Sequence, residues 1–328
     1  MDGKKLTARD YASDQDLRWC PGCGDFAILK QTQMVLAEIQ ADPAQTVFVS
    51  GIGCSSRFPY YMNTYGMHSI HGRATAIASG LRLSRPDLNI WVITGDGDSM
   101  SIGGNHLIHL LRRDLNLNVL LFNNEIYGLT KGQYSPTSKQ NIRTKSSPFG
   151  SVEKPFNTLS LAFGARASFI ARSIDREAKH LQEMLKRTNE HEGTSLLEIY
   201  QNCHIFNDGA FEPFSDRKAQ KLNAIFLRQD EVISFGENNE KAFRFDGLSP
   251  RVVDKANYPA EELWIHDESD ALKASILCNW VESNPELPKL FGVIYAKKQS
   301  NNARSMDSDV LDEHYVNDLI KGRKTWSV

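Results

Sequence analysis

The stretch WCPGCG, residues 19 to 24, places two thiols three positions apart in a chain that otherwise uses cysteine sparingly. Only Pro21 and Gly22 separate Cys20 from Cys23. The chain has five cysteines in all and no apolar secretion signal at its start, which argues against a framework of disulfide bonds. We therefore expect reduced thiols that are available for metal or redox chemistry.

A second set of polar residues follows two apolar runs further along the chain. Gly95-Asp96-Gly97 comes directly after one run, and Asn123-Asn124 comes directly after the next, with twenty-five residues between the two motifs. Glycines permit a tight turn and let backbone amides approach a phosphate closely. An aspartate, an asparagine oxygen and a nearby backbone carbonyl can hold Mg²⁺ together with two oxygens of a diphosphate. The alternative is an ordinary turn after each strand, but the paired spacing favours the cation site.

Five apolar, β-branched runs are predicted to form the strands that position these residues. They are continuous rather than alternating, which is typical of strands buried on both faces of a parallel sheet. Residues 25–39 and 175–189 are predicted to be amphipathic helices, with Asp25 as the N-cap of the first. The strand runs are residues 46–53, 89–98, 118–125, 166–173 and 194–203. This alternation predicts a doubly wound α/β sheet, whose ligands bind beyond the carboxyl ends of the strands.

Outside the predicted sheet the pattern is weaker. Residues 130–155 form a basic segment rich in Ser, Thr, Gly and Pro, and a loop of this length inside a domain is more often functional than idle. FGENNEKAFRFDG is predicted to be a hairpin, DALKASILCNWVES a helix, and the polar tail from Lys297 to Val328 poorly ordered. We expect three parts: an N-terminal arm over residues 1–19, a sheet domain over 20–210 and a smaller, partly irregular extension over 211–328.

Composition narrows the classes of function. The chain has 328 residues, of which 41% are hydrophobic, so it is long enough to bury a sizeable core. Thirty-eight basic residues against 40 acidic ones leave a formal charge of -2, which gives no global field for nucleic acid. No run approaches the roughly 18 apolar residues of a membrane span. We expect a cytoplasmic protein that binds neither nucleic acid nor membrane.

Five motifs in chain order resemble the β subunit of 2-oxoacid:ferredoxin oxidoreductases, and the 2-oxoglutarate branch is the most similar. The Gly-Asp-Gly and Asn-Asn pair is similar to the thiamine diphosphate motif. The other four motifs are WCPGCG, GIGCSSR at 51–57, YGLTKGQ at 127–133 and CHIFNDGAF at 203–211. The resemblance implies a mostly parallel, doubly wound sheet of the thiamine diphosphate-binding type with a smaller C-terminal extension.

The resemblance also implies three cofactors. Cys20, Cys23, Cys54 and Cys203 would hold one [4Fe-4S] cluster. Asp96, the side chain of Asn124 and the carbonyl of Ile126 would bind Mg²⁺. Further contacts with thiamine diphosphate would come from Ile52, Gly53, Cys54, Ser55, His71, Gly97, Asp98, Gly128 and Leu129. Zinc is the chemical alternative for four thiolates, and Cys278 is predicted to be a buried core thiol.

Two positions bear on the substrate. Leu129 stands where the pyruvate-specific relatives carry asparagine, and Arg57 stands where relatives of the 2-oxoglutarate type carry a basic residue. A guanidinium at position 57 can pair bidentately with the distal carboxylate of 2-oxoglutarate. The alternative for Arg57 is a surface salt bridge.

The activity that the resemblance implies is CoA-dependent oxidative decarboxylation of a 2-oxoacid, with 2-oxoglutarate favoured and succinyl-CoA and CO₂ as products. Electrons would pass through the cluster to ferredoxin or flavodoxin. An α subunit, in an αβ or (αβ)₂ complex, would supply the carboxylate on the aminopyrimidine ring of thiamine. The basic segment is interpreted as a surface for CoA phosphates or an acidic ferredoxin, or else as a solvated loop. The alternatives are a non-redox thiamine lyase or decarboxylase and a zinc-stabilised scaffold subunit.

Overall fold

The computed structural model describes residues 5–247 and 249–297. The strands are β1 (Thr46–Ser50), β2 (Tyr65–His68), β3 (Asn89–Gly95), β4 (Leu117–Asn123), β5 (Phe169–Ile174), β6 (Thr194–Tyr200), β7 (Ala224–Phe226), β8 (Ser234–Phe235), β9 (Lys241–Asp246), β10 (Ser249–Asp254) and β11 (Lys289–Ala296). The α-helices are α1 (Asp25–Glu38), α2 (Ala74–Ser84), α3 (Gly104–Arg113), α4 (Thr158–Gly164), α5 (Ala178–Glu190), α6 (Glu212–Ser215), α7 (Arg217–Asn223) and α8 (Ala271–Ser283). Short 3₁₀ segments cover Ala8–Tyr11, Ser55–Tyr61, Lys255–Asn257 and Ala260–Glu262, and a π-helical turn covers Asp98–Ile102.

Eight strands form one sheet in the order β2-β1-β3-β4-β6-β5-β11-β7. Every neighbouring pair from β2 through β5 is parallel, whereas β11 runs antiparallel to β5 and parallel to β7. Strands β8, β9 and β10 form a separate antiparallel sheet. The predicted doubly wound, mostly parallel sheet is therefore confirmed.

Both faces of the main sheet are covered. Phe48 belongs to the hydrophobic core under α1 and α5, whereas its neighbours Val47 and Val49 belong to the core on the other face, with α2, α3, α4 and α8. Successive side chains of a strand point to opposite faces, so a strand between two helical layers must be apolar at every position. This explains why the strand runs are continuous in sequence. Within the described ranges, no helix is both long and apolar enough to cross a bilayer.

One predicted helix boundary is wrong. Asp25 is the first residue of α1 rather than its N-cap, and Gly24 occupies the cap position without a side-chain bond. The backbone N–H of Gly24 donates to the carbonyl of Asn202 at 3.1 Å, so the start of α1 packs against the chain beyond β6. The Asp25 side chain is consequently buried instead of capping the helix in solvent.

The region beyond residue 210 contributes to both sheets. The predicted hairpin is confirmed by β8 and β9, and the predicted helix is confirmed by α8, where the side chain of Asp270 accepts from the Lys273 backbone. Cys278 on α8 is fully buried, as predicted. Strands β7 and β11 were not predicted, and they complete the main sheet. The predicted polar tail lies outside the described residues after Lys297.

Candidate functional site

Residues that follow four neighbouring strands meet at one edge of the sheet. Strands β1, β3, β4 and β6 are adjacent, and parallel strands end on the same side. The segments that leave them are residues 51–55, 96–98, 124–129 and 201–203. The order of the strands thus brings together motifs that are far apart in sequence.

A cleft opens at this edge, and we call it the strand-end cleft. Its lining includes every residue that the resemblance implied as a thiamine contact or a cation ligand. Phe122, Tyr127 and Thr130 line it as well. The complete lining is Ile52, Gly53, Cys54, Ser55, His71, Gly95, Asp96, Gly97, Asp98, Phe122, Asn124, Ile126, Tyr127, Gly128, Leu129 and Thr130.

Asp96 is buried and is held by two hydroxyl groups of the basic segment. Its Oδ2 accepts hydrogen bonds from Ser135 and Thr137, each at 2.6 Å. Burial raises the pKa of Asp96 to about 6, and the two hydroxyl donors oppose that rise. The carboxylate is therefore oriented by the segment that follows β4.

Asp98 binds the loops around the cleft. Its Oδ1 accepts from the backbone N–H groups of Gly72 at 2.7 Å and Ile52 at 3.2 Å, and its Oδ2 accepts from Thr94 at 2.9 Å. Nδ1 of His71 lies 3.4 Å from Oδ1. Asp98 thus fixes the loops after β1 and β2 and orients the His71 imidazole, while most of its own hydrogen-bonding capacity is used within the protein.

Asn123, the last residue of β4, and Asn124, which follows it, have different partners. The Nδ2 group of Asn123 donates to Glu198 at 2.8 Å, and its Oδ1 lies 2.9 Å from the Thr137 hydroxyl oxygen. The Nδ2 group of Asn124 donates to Oε1 of Gln201 at 3.0 Å, and its Oδ1 accepts from the Ile126 N–H at 3.2 Å. Asn123 therefore anchors the loop inside the protein, whereas Asn124 lines the cleft.

Two glycines shape the cleft. Gly53 has a φ of +144°, and a Cβ atom there would meet nothing within 4 Å, so its backbone borders open space. A Cβ on Gly97 would lie 2.2 Å from the Tyr127 ring, whose hydroxyl donates to the Gly97 carbonyl at 3.1 Å. Gly97 is required for this contact, and Gly53 leaves the backbone accessible to a ligand.

Four cysteines surround an adjacent cavity, which we call the cysteine pocket. A Cβ atom on Gly128 would lie 3.5 Å from the sulfurs of both Cys54 and Cys203. Besides Cys20, Cys23, Cys54 and Cys203, the lining comprises Arg18, Trp19, Arg57, Asn124, Gly128, Leu129, Lys131, Gln201, His204, Ile205 and Phe206. The structure thus brings together the four thiols that the resemblance implied as cluster ligands.

Burial and nearby charge disfavour free thiolates in this pocket. Burial raises the pKa of Cys54 to about 12, and the nearby carboxylate of Asp25 adds to the shift. The pKa of Cys23 is also raised, mainly by burial and to a smaller extent by the charge of Asp25. Thiolates at these positions therefore require a compensating positive charge, such as metal ions.

The N-terminal arm is attached at several points. The Trp19 indole N–H donates to the Cys54 carbonyl at 2.7 Å, and the ring packs edge-on against Tyr61 and Phe26. The Cys23 N–H donates to the Cys20 carbonyl at 3.1 Å. These contacts hold the first two thiols at the cavity that Cys54 and Cys203 also line.

A third pocket, which we call the arginine pocket, adjoins the other two. Arg57 lines both the arginine pocket and the cysteine pocket, and Leu129 lines all three. Its complete lining is Asp14, Gln15, Asp16, Arg18, Ile52, Gly53, Arg57, Tyr60, Tyr61, His68 and Leu129. Among the described ion pairs none involves Arg57, whereas Arg18 pairs with Asp16 at 3.0 Å.

The basic segment after β4 is irregular but packed onto the cleft. The described chain forms no helix and no regular strand between Asn123 and Thr158. Ser135, Thr137 and Ser138 are buried, and Ser138 donates to the Glu125 carbonyl. Lys139, Arg143 and Lys145 are exposed. The basic segment therefore has buried hydroxyl groups on its inner side and exposed basic side chains on its outer side. Binding of CoA or ferredoxin by the outer side stays a prediction.

Sequence reasoning missed three kinds of site residue. The hydroxyls of Ser135 and Thr137 lie within the segment that was singled out, but no pattern indicated that they point to Asp96. Tyr127 lies inside a matched motif and packs on Gly97. Gln201 directly follows β6, and no sequence pattern marked it as a site residue, because its partners Asn124 and Cys23 come from distant parts of the chain.

This chain is similar in sequence and fold to known proteins. Residues 51–199 match the family described as thiamine pyrophosphate enzyme, C-terminal TPP binding domain. The chain is 46% identical to the 2-oxoglutarate oxidoreductase subunit KorB of Mycobacterium tuberculosis, over 98% of this chain and 88% of that one. It is also 46% identical to the β subunit of 2-oxoacid:ferredoxin oxidoreductase 1 of Aeropyrum pernix, over 62% and 64% of the two chains.

The solved structures include a similar chain. It belongs to the 2-oxoglutarate:ferredoxin oxidoreductase from Magnetococcus marinus, whose structure has 2-oxoglutarate, coenzyme A and succinyl-CoA bound. The TM-score is 0.77 at 31% sequence identity, and the match covers 98% of each chain. The similarity thus extends beyond the thiamine-binding region to the C-terminal part.

Proposed function

Since this chain belongs to the family of β subunits of 2-oxoglutarate:ferredoxin oxidoreductases, we propose that its strand-end cleft binds thiamine diphosphate with Mg²⁺ and that its cysteine pocket holds a [4Fe-4S] cluster. The chain is one subunit of a thiamine diphosphate-dependent enzyme that acts on 2-oxoglutarate. The single observation that carries the cofactor assignment is a shared wall: Cys54, Asn124, Gly128 and Leu129 line both cavities.

The residues of the strand-end cleft fit the thiamine cofactor and its cation. A buried carboxylate on Asp96, the amide oxygen of Asn124 and the carbonyl of Ile126 are the hard oxygen donors that Mg²⁺ prefers. When bound, the cation would take diphosphate oxygens and water as its remaining ligands. His71 and the open backbone at Gly53 border the same space. We assign the remaining contacts to Ile52, Cys54, Ser55, Gly97, Asp98, Gly128 and Leu129.

The cysteine pocket fits a polynuclear cluster better than a single ion. Four thiolates are the ligand number of a [4Fe-4S] cluster. A zinc ion would need four ligand atoms at about 2.3 Å from one point. The four sulfurs instead line a cavity, which supports the cluster over the zinc alternative.

The chain's own residues act by binding, orientation and exclusion of water. When bound, thiamine diphosphate supplies the carbanion chemistry that cleaves a 2-oxoacid, and the cluster supplies a one-electron acceptor. Asp96 and Asn124 anchor the cation, and Asp98 orients His71 towards the cleft. Arg57 lies in the arginine pocket beside Leu129, where its guanidinium can pair with the distal carboxylate of 2-oxoglutarate. Leu129 contributes an apolar side chain to the walls of all three pockets.

The substrates and partners follow from this assignment. The proposed reaction converts 2-oxoglutarate and CoA to succinyl-CoA and CO₂, and a cluster held by the four cysteines would supply the one-electron path to ferredoxin or flavodoxin. The β subunit forms a complex with an α subunit. Both acids that line the strand-end cleft, Asp96 and Asp98, already have partners in this chain. The partner therefore supplies the carboxylate for the aminopyrimidine ring.

The test uses the complex of this chain with its α subunit, purified without oxygen and supplied with thiamine diphosphate and Mg²⁺. We expect a broad iron-sulfur absorbance that bleaches when 2-oxoglutarate is added, and further when CoA is added. Asp96→Ala should abolish binding of the thiamine cofactor in calorimetry, while Asp87→Ala, an exposed partner of Arg85, should not. A colourless protein containing zinc, or full cofactor affinity in Asp96→Ala, would refute the assignment.

A further inference from the structure

One side chain, Gln201, contacts residues of both proposed cofactor sites. It directly follows β6, and its backbone N–H donates to the Asn123 carbonyl at 2.9 Å, so the ladder between β4 and β6 continues past Tyr200. The Gln201 side chain is only 1% exposed. It lines the cysteine pocket beside Asn124, which also lines the strand-end cleft.

Each hydrogen-bonding group of this amide has a partner. Its Oε1 accepts from Nδ2 of Asn124 at 3.0 Å. Its Nε2 donates to the Asn202 carbonyl at 2.6 Å and to the sulfur of Cys23 at 3.3 Å. If the Gln201 amide were rotated by 180°, its NH₂ group would face the NH₂ group of Asn124. Its oxygen would then face the carbonyl oxygen of Asn202. The network therefore fixes which end of the amide faces each site.

The first consequence concerns the cation ligand. The amide of Asn124 is planar, so a fixed Nδ2 also fixes the direction of its Oδ1, the proposed ligand of Mg²⁺. Magnesium demands near-ideal octahedral geometry, and a misdirected oxygen weakens its binding. Without Gln201, the side-chain amide of Asn124 would be held only by the bond that its Oδ1 accepts from the Ile126 backbone.

The second consequence concerns the cluster. An N–H group that donates to a cysteine sulfur stabilises negative charge on that sulfur, and the reduced cluster carries more negative charge than the oxidised one. Hydrogen bonds to the sulfurs are among the factors that set the reduction potential of a cluster. The bond from Gln201 to Cys23 therefore favours the reduced form.

We propose that Gln201 is a positioning residue that sets two properties together, the affinity of the cation site and the reduction potential of the cluster. The proposal rests on the proposed function, because it requires both cofactors at the assigned residues. It extends that function by giving one buried amide a role in each site. Gln201 itself contacts neither the substrate nor the reacting atoms.

Two substitutions separate the two roles. Gln201→Met keeps the side-chain size but loses all three side-chain hydrogen bonds, whereas Gln201→Glu keeps an acceptor for Asn124 and loses the donors to Cys23 and to the Asn202 carbonyl. The matched control is Gln182→Met, which removes a partly buried amide that donates to Gln31 at 2.6 Å, away from both pockets. The readouts on the intact complex are the midpoint potential from a redox titration followed by electron paramagnetic resonance, and the affinity for Mg²⁺ and thiamine diphosphate from calorimetry.

We expect Gln201→Met to lower the midpoint potential and to weaken cofactor affinity by on the order of fivefold, the effect of one net hydrogen bond. Gln201→Glu should lower the potential at least as far but leave the affinity near that of the unmodified complex. Gln182→Met should change neither quantity. Iron and sulfide contents accompany each measurement, so that loss of the cluster is not mistaken for a shift in its potential.

Three outcomes would overturn the proposal. In the first, Gln201→Met has a full cluster with unchanged potential and affinity. In the second, Gln201→Glu weakens cofactor binding as much as Gln201→Met does. In the third, Gln201→Met lacks iron, and Gln201→Glu has an unchanged potential. By contrast, an unmodified complex without a cluster or without thiamine binding would refute the proposed function itself.

Discussion

At the scale of single residues, the cation site depends on hydroxyl groups that carry no motif of their own. Thr137 lies within hydrogen-bonding distance of both Asp96 and Asn123, and Ser135 contacts the same oxygen of Asp96. The Thr137 hydroxyl has only one proton, so it donates to either Asp96 or Asn123 at any one time. The Ser135 hydroxyl supplies a further donor to the Asp96 carboxylate. The basic segment thereby orients the proposed ligand of Mg²⁺.

This arrangement gives a prediction for Thr137. Thr137→Val keeps the shape of the side chain but removes its donor, and we expect about a tenfold loss of affinity for Mg²⁺ and thiamine diphosphate because a buried acceptor loses its partner. Thr137→Ser should restore most of the affinity. Calorimetry on the complex measures both variants. Thr144→Val, in the exposed part of the same segment, serves as the control, and equal affinity in Thr137→Val and Thr144→Val would contradict the prediction.

Arg57 gives a prediction for substrate choice. A bidentate pair between a guanidinium and a carboxylate contributes about 1.5–3 kcal/mol, so Arg57→Ala should lower kcat/KM for 2-oxoglutarate by roughly ten- to a hundredfold. Pyruvate has no distal carboxylate, and its kcat/KM should change little. Steady-state dye reduction with each substrate gives the ratio of kcat/KM for 2-oxoglutarate to kcat/KM for pyruvate. Arg18→Ala is the matched control, since Arg18 lines the same pocket but pairs with Asp16, and an unchanged preference in Arg57→Ala would exclude the role.

Residue types predicted the ligands but not the residues that orient them. Asp96, Asn124 and the cysteines have side chains that bind metals wherever they occur, and their spacing made the pattern specific. Gln201 and Thr137 are ordinary polar residues until folding sets them beside those ligands. Their roles depend on contacts between distant segments, and a single sequence carries no signal for such contacts.

At the scale of elements, a buried ionic group joins the cofactor-binding strands to the C-terminal part. Arg172 on β5 donates to Glu198 on β6 at 2.7 Å and to Glu282 on α8 at 2.8 Å. Glu198 also accepts from Asn123, and Glu282 pairs with Lys289 on β11. The group thus runs from the end of β4 to β11, the last strand of the described residues, and it attaches α8 and β11 to the site.

This ionic group makes stability depend on pH. Burial alone would raise the pKa of Glu282, but the charges of Arg172 and Lys289 outweigh it and lower the pKa to about 2. A carboxylate whose pKa is lowered in the folded state stabilises the fold above its unfolded pKa of 4.5, and that contribution is lost as pH falls towards 2.

We therefore expect Glu282→Gln to lower the free energy of unfolding by on the order of 3 kcal/mol at pH 7, because it leaves Arg172 with one buried partner fewer. The difference in the free energy of unfolding between Glu282→Gln and the unmodified protein should be smaller at pH 4 than at pH 7. Urea denaturation at the two pH values measures it. Glu262→Gln, which removes an exposed partner of Arg244, should cost far less, and a pH-independent difference for Glu282→Gln would be evidence against the assignment.

The elements that were predicted and those that were missed differ in their physical setting. The central strands were predicted because burial on both faces requires apolar residues at every position. Strand β2 was missed because all four of its residues are exposed at the edge of the sheet. Strand β11 is buried but follows a region of weak patterning, and its pairing with β5 is antiparallel, so no strand-helix alternation marked it.

At the scale of the whole molecule, several of the exposed large apolar side chains lie at the open edge of the main sheet. Tyr65 and Ile70, at and just beyond the open edge strand β2, are 64% and 67% exposed, and Phe149 of the basic segment is 97% exposed. Large apolar side chains in such positions favour contact with another protein over contact with water. The site therefore lies beside surface that suits a second subunit.

The last prediction concerns the isolated chain. Supplied with a full cluster, Mg²⁺ and thiamine diphosphate, it should bind the cofactor but show no decarboxylation of 2-oxoglutarate, since both acids of the cleft are engaged within the protein and none is left for the aminopyrimidine ring. Adding the α subunit should restore turnover, followed as release of labelled CO₂ and as reduction of a viologen dye. The Asp96→Ala variant in the same mixture should remain inactive. Turnover by the isolated chain at a rate near that of the complex would mean that the active site is complete in this subunit and that the exposed edge has another use.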